Sequence, residues 1–272
     1  MSRPAHAAMP IIVGGFYRSG TTLLRRLLDA HSRIHCGPEV KFFKDFYGDY
    51  LQDELHHVRL FSTLSTLGLS ENEMLSIFGR AFVEGHRLAA RKVGKVRWAD
   101  KNPENVLYLN QWGQLLPDGF LFVHVVRSPL DALASLKEVG FEKAVPPHFE
   151  DKVRLYRKFC EAGIEHSEAF PETSLTLRYE ELVHEPTACL SRLFLALGES
   201  FEAAILERFA DPERGDGIED PKVKLTRKVH TDSVGRWRKD LSQEEIRLVR
   251  DILPPLLLEE TFFKGYSKPG LI

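Results

Sequence analysis

The residues of this chain that can do chemistry begin near its start. Gly15-Phe16-Tyr17-Arg18-Ser19-Gly20-Thr21-Thr22 has the spacing G-x-x-x-x-G-T-T. Before it, Pro10–Gly14 (PIIVG) is a short apolar run that reads as a buried parallel strand ending in a tight turn. After it, Leu23, Leu24, Leu27 and Leu28 fall on one stripe of a helix running from Thr21 to His31. A glycine-bearing turn between strand and helix lets successive backbone N–H groups curl around an anion, and the helix N-terminus adds its positive dipole end. Nucleotide triphosphatase loops share this context but place a lysine before the final Ser or Thr. Thr21 stands at that point, and a positive charge comes earlier, at Arg18. The pattern predicts a phosphate-binding loop without the usual triphosphate clamp. The plainer alternative is a strand-to-helix turn that only needs glycine.

Other elements must hold this loop in place. Phe120–Val126 (FLFVHVV) reads as a second buried strand. Ser128 then caps a helix with Pro129 at its first position and Leu130, Leu133 and Leu136 at core spacing. Capping boxes at Ser70-Glu71-Asn72-Glu73 and Ser242-Gln243-Glu244-Glu245 open two more helices, the first running through Met74, Phe78 and Phe82. A helix near 150–169, a strand near Ser174–Tyr179 and a helix from Pro186 to Gly198 lie between them. Residues 211–221 (DPERGDGIEDP) read as loop, and residues 40–62 give no clear period. Strands alternating with helices predict one α/β domain, P-loop-like, with a central parallel sheet flanked by helices and the loop at its switch point. Its expected extent is 9–272, after a flexible tail over 1–8.

Composition narrows the function. A chain of 272 residues with 43% hydrophobic and 28% charged residues is an ordinary globular domain. Its 37 basic and 39 acidic residues leave a net charge of −2, which excludes a broad nucleic-acid-binding field but leaves room for a local basic pocket. Cys36, Cys160 and Cys189 are few and widely spaced, which argues against a disulfide framework or a cysteine-rich zinc site. No stretch of 18 apolar residues and no signal-peptide run occurs. The expectation is a cytoplasmic chain with no membrane partner.

A family resemblance then gathers these residues. Phe16-Tyr17-Arg18-Ser19-Gly20-Thr21-Thr22-Leu23 resembles the 5′-phosphosulfate loop of sulfotransferases that use 3′-phosphoadenosine-5′-phosphosulfate (PAPS). Arg127 and Ser135, eight residues apart in VVRSPLDALAS, resemble the pair that holds the nucleotide's 3′-phosphate in that family. Arg178-Tyr179-Glu180-Glu181-Leu182 is similar to a segment whose Tyr can face the nucleotide. Gly235-Arg236-Trp237 is similar to the segment that closes over the adenosine and its 3′-phosphate. The stretch RSGTTLLRRLLDAHSRIHCGPEVKFF looks like the protein-tyrosine sulfotransferases and their bacterial relatives.

The resemblance implies transfer of a sulfuryl group from PAPS to a hydroxyl acceptor by in-line displacement, releasing 3′-phosphoadenosine 5′-phosphate (PAP), without a metal. Glu39, in Cys36-Gly37-Pro38-Glu39, would be the catalytic base. Lys101, in Asp100-Lys101-Asn102-Pro103, and Arg18 would stabilise the transferring group and the leaving oxygen. Ser19, Gly20, Thr21 and Thr22 would cradle the 5′-phosphosulfate; Arg127, Ser135 and Arg236 would hold the 3′-phosphate side, with Tyr179 and Trp237 near the nucleotide. The small-molecule enzymes use a Lys-Thr-His segment, but Asn102 and Pro103 follow Lys101, which favours Glu39 as base. Lys222-Val223-Lys224-Leu225 replaces a Ser- and Gln-containing segment of the protein-tyrosine enzymes. With a cytoplasmic location, a small-molecule or glycan acceptor is expected over peptide tyrosine. Relatives form dimers, so a homodimer is a further expectation.

Rival readings stay open at this point. A P-loop kinase would use the same loop, against which stands Thr21, and a catalytically inactive nucleotide-binding protein would not need Glu39 or Lys101. His35 is the rival base, His124 reads as a core histidine, and His56-His57 as a solvated pair. Phe42, Phe43, Phe46, Tyr47 and Tyr50 could line an acceptor pocket or pack the core, and Trp237 could stack on the nucleotide or only pack. Lys41 and Lys44 could hold an acidic acceptor, but read better as a solvated face.

Overall fold

A computed structural model describes residues 6–48, 58–138, 145–210 and 228–258. Five strands form one parallel sheet: β1 (Ile11–Gly15), β2 (Ile34–Cys36), β3 (Arg97–Lys101), β4 (Leu121–Val126) and β5 (Ser174–Arg178), in the order β2-β3-β1-β4-β5. The single parallel α/β domain expected from the sequence is what forms. Strand β1 sits at the centre, and the chain turns to opposite sides of it on leaving and on returning. That is the switch point where open α/β sheets bind ligands.

Alternation along the strands divides the core between two faces. Ile12 and Phe122 point to one face, which is rich in aromatic rings: Phe16, Tyr17, Trp98, Trp112, Tyr156 and Phe159. The helices there include α4 (Glu71–Lys92), α5 (Leu109–Leu115), α6 (Pro129–Lys137) and α7 (Phe149–Ala169). Ile11, Val13, Leu121, Val123 and Val125 point to the other face. There the leucine stripe of α1 (Thr21–Asp29) packs with α8 (Tyr179–His184) and α9 (Pro186–Ala196), and the contacts are largely aliphatic.

Several local expectations hold. Ser70 and Ser242 each accept from the backbone N–H three residues on, and Glu73 and Glu245 return the bond. Ser128 is the N-cap of α6 with Pro129 first, but its side chain makes no cap bond; its backbone N–H donates instead to Glu180 at 2.8 Å. Other features differ. Residues 40–62 contain α2 (Phe42–Tyr47) and the start of α3 (Val58–Thr66). His6–Ala8, expected within a loose tail, form a 3-10 turn whose His6 carbonyl accepts from Arg97 at 2.7 Å. Residues 1–5, Tyr50, His56-His57, the 211–221 segment and Lys222–Leu225 lie outside the described residues.

Candidate active site

The phosphate loop closes because its backbone leaves ordinary conformations at two points. Gly20 has φ +94°, and a Cβ there would strike the Tyr179 ring, with Cε2 only 3.0 Å away. Arg18 has φ +65°, a left-handed conformation rare for a residue with a side chain. Such strain costs about 1–3 kcal/mol and persists where surroundings fix it. Here Arg127 donates to the Arg18 carbonyl at 2.7 Å, and Arg18 Nε donates to Ser135 Oγ at 3.1 Å. Helix α1 then starts at Thr21 with Gly20 as its N-cap and no side-chain cap bond. Its first N–H groups keep the orientation that suits an anion.

Arg127 is the centre of a second layer. It is buried, and its guanidinium lies 4.4 Å from the centre of the Tyr179 ring. It also donates to the Ser233 carbonyl at 2.6 Å, while Tyr156 Oη donates to the Arg127 carbonyl at 2.7 Å. Burial pulls its pKa down, although Tyr179, Asp131 and Glu180 partly oppose this. The structure thus brings Arg18, Gly20, Arg127, Ser135 and Tyr179 into one contact group. Two buried polar atoms of this region, Arg127 Nε and Ser19 Oγ, have no hydrogen-bond partner among the described residues.

On the other side of α1's first turn, Lys101 ends β3 with its side chain fully buried. It donates to Thr22 Oγ1 at 3.1 Å and forms an ion pair with Glu39. Glu39 lies in the segment after β2 and keeps 13% of its side chain exposed. The phosphate loop, a lysine and an approachable carboxylate are therefore in series. Such an arrangement can hold an anion, place a positive charge beside it, and accept a proton from a group arriving at Glu39.

The C-terminal segment is placed less as expected. Asp131 on α6 accepts from the Gly235 and Trp237 N–H groups at 2.8 and 3.1 Å. This pins the segment beside Arg127, and no motif pointed to Asp131. Arg236 itself pairs with Glu138 at 2.5 Å and Asp240 at 2.7 Å, so its charge is already matched. Trp237 packs near Ala134, Leu241 and Ile246, with the Arg238 guanidinium 4.7 Å from its ring centre.

Other candidates also find their places. His35 Nδ1 lies 3.1 Å from Asp29 Oδ1, which ties the rival base to α1. His124 is buried within β4, its Nε2 has no hydrogen-bond partner among the described residues, and burial pulls its pKa down to about 4, with His166 adding to the effect. Phe42, Phe43, Phe46 and Tyr47 join the aromatic core; Phe42 stacks on Phe82 with centroids 4.4 Å apart. Lys44 is 6% exposed, so a solvated face is corrected to a buried pairing with Glu104, which Lys41 shares. Sequence reasoning missed Glu104 because its partners lie 60 to 87 residues away.

A family model described as the sulfotransferase family matches residues 10–203. The chain belongs to the sulfotransferase family. Among curated relatives, a protein-tyrosine sulfotransferase of Drosophila melanogaster is 24% identical over 96% of this chain and 53% of its own length. Protein-tyrosine sulfotransferase A of Caenorhabditis elegans is 23% identical over 90% of this chain and 65% of its own. This sulfotransferase-family chain thus spans about half to two thirds of the length of those relatives. The solved sulfotransferase domain of the Synechococcus PCC 7002 olefin synthase shares the fold, with a TM-score of 0.60 and 19% identity over 90% of this chain and 95% of that one. Among the described residues no helix is long and apolar enough to cross a membrane.

Proposed function

We propose that this chain transfers a sulfuryl group from PAPS to a hydroxyl acceptor, with Glu39 as the base. The observation that carries the reading is Lys101, which links Glu39 to Thr22 of the phosphate loop in one buried contact. The residues fit the donor. Ser19 Oγ and Arg127 Nε are buried polar atoms without partners among the described residues, and Gly20 leaves the loop open where a side chain would meet Tyr179. When bound, the donor supplies a sulfuryl group joined to a phosphate leaving oxygen.

This chain's own residues do the rest. Thr21, Thr22 and the α1 N-terminus would orient the 5′ end, and Lys101, with Arg18 once it turns from Ser135, would stabilise the negative charge that grows as the bond to the leaving oxygen breaks. Arg127 and Ser135 take the 3′-phosphate side. Arg236 would join them against the pull of Glu138 and Asp240, which already match its charge. Glu39 accepts the acceptor's proton, a role worth about 10²–10⁴ in rate. A phenol, with a pKa of about 10, releases that proton more readily than an alkyl or sugar hydroxyl. The acceptor panel therefore includes small phenols, glycans and, because curated relatives are named for protein tyrosine, a tyrosine peptide.

Calorimetric titration with PAP, without metal, tests the nucleotide site in wild type and Arg127→Ala, with ATP plus Mg²⁺ as the comparison. The expected result is metal-independent PAP binding that weakens more than about tenfold in the variant, or about 1.4 kcal/mol or more. A preference for ATP with Mg²⁺, or no PAP binding by a folded wild type, would remove the sulfotransferase reading.

A further inference from the structure

No motif names Glu104, yet it touches every segment that carries a proposed catalytic group. It lies three residues after Lys101, in the 3-10 turn Pro103–Leu107, with 5% of its side chain exposed. Its Oε1 accepts from Tyr17 Oη at 2.5 Å, Lys41 Nζ at 3.2 Å and Lys44 Nζ at 3.4 Å. Tyr17 immediately precedes Arg18, and Lys41 lies two residues beyond Glu39. One carboxylate oxygen thus joins the phosphate loop, the Glu39 segment and the end of β3.

The charges explain why this matters to Glu39. Burial alone would push the Glu104 carboxyl up; Lys41, Lys44 and the Tyr17 hydroxyl outweigh it and hold it below the ordinary carboxylate range. Burial pushes the Tyr17 phenol well up, as does Glu104 beside it, and Glu39 adds to the rise. Glu39 is therefore within electrostatic reach of the same cluster. Lys41 and Lys44 pair with Glu104, and Lys101 pairs with Glu39. Without Glu104, Lys41 loses the carboxylate it pairs with, and Glu39 lies two residues before it on the same segment. A buried ion cluster is seldom the most stabilising filling for its space, so its value lies in specifying an arrangement.

We propose that Glu104 is a positioning residue for the transfer reaction: it anchors the Glu39 segment to the phosphate loop and holds Lys41 away from Glu39, leaving that carboxylate to Lys101 and the acceptor. The inference rests on the sulfotransferase reading above.

The test is Glu104→Gln in the full chain. Amide hydrogen exchange should rise in residues 37–47 and stay unchanged in α1, and PAP should bind as in wild type within about threefold. With PAPS and either 4-nitrophenol or an acidic tyrosine peptide, whichever wild type sulfates, kcat should fall about 10²-fold at constant KM for PAPS, the scale of a misplaced catalytic group. Adding Lys41→Met to Glu104→Gln should restore part of kcat, several-fold, because a competing ammonium is gone. A uniform rise in exchange, a parallel loss of PAP binding, or a further fall in kcat in the double variant would overturn the proposal. Should Glu104→Gln fail to fold, Tyr17→Phe carries the test, with the same local exchange pattern expected and a uniform or absent change against it. A wild type that binds no PAP would remove the sulfotransferase reading alone, since the exchange measurement reads the anchoring role without any nucleotide.

Discussion

Around Gly20 the chain presents mostly backbone: a left-handed glycine, a left-handed arginine whose carbonyl is held by Arg127, and the uncapped start of a helix. Around Glu39 it presents mostly side chains: Lys101, Lys41, Lys44, Tyr17 and Glu104, drawn from three separate segments into one charged cluster. On the reading proposed above, the first side takes a phosphate, whose shape is constant, so a fixed cradle suffices. The second presents Glu39 to the acceptor, and its geometry rests on long-range ion pairs. The difference teaches where each side is fragile. Loop geometry fails through backbone conformation and steric overlap, whereas the Glu39 side fails through charge.

The largest expected effect separates the two sides. Glu39→Gln removes the proposed proton acceptor and should lower kcat about 10²–10⁴-fold while PAP binding by calorimetry stays near wild type. Equal losses in both would merge the two sides and break the comparison. Next in size is Gly20→Ala. A left-handed alanine costs about 1–2 kcal/mol, and its Cβ must also displace the Tyr179 ring. PAP affinity should fall about tenfold or more, while hydrogen exchange around Glu39 is unchanged. Unchanged PAP affinity would show that the loop's backbone is not the cradle.

A third effect is on stability rather than on binding or turnover, and comes from β4, which leads into Arg127. Burial holds the His124 pKa at about 4, below the ordinary value of about 6.5. The unfolded chain therefore binds the proton more readily, so the contribution is fully present above about pH 6.5 and is lost as pH falls toward 4. The loss is at most about 3 kcal/mol. Thermal melts of His124→Leu should show a flatter dependence between pH 6.5 and 4 than wild type. An identical slope would place the acid sensitivity elsewhere.

The two sides also differ in how readable they were. Glycines at fixed spacing between an apolar run and a leucine stripe have few physical meanings, so the loop, β1 and α1 were legible. Strand β4 was legible as an apolar run interrupted only by His124. Strand β3 was not, because Arg-Trp-Ala-Asp-Lys looks like surface. All five residues are buried, and Arg97 donates to the carbonyls of Met9, Leu197 and His6, while Asp100 accepts from Asn105 and faces His86. Residue type alone cannot report a partner 90 residues away. Glu39 and Lys101 were placed by resemblance, and the contact between them came from the fold. The aromatic run after Glu39 resisted phasing because α2 spans six residues, too few for a period, and its rings settle on α4 and α5.

Arg127 holds the Arg18 carbonyl with one nitrogen and the Ser233 carbonyl with another, while Asp131, four residues on, secures Gly235 and Trp237. The cradle and the segment beside it therefore share a hinge pin. Thermodynamic reciprocity then sets a rule for this part of the molecule. Any ligand that binds more tightly when residues 231–237 are docked must strengthen their docking by the same factor. Protease resistance of that segment is thus a second scale on which the affinity of the phosphate loop can be read.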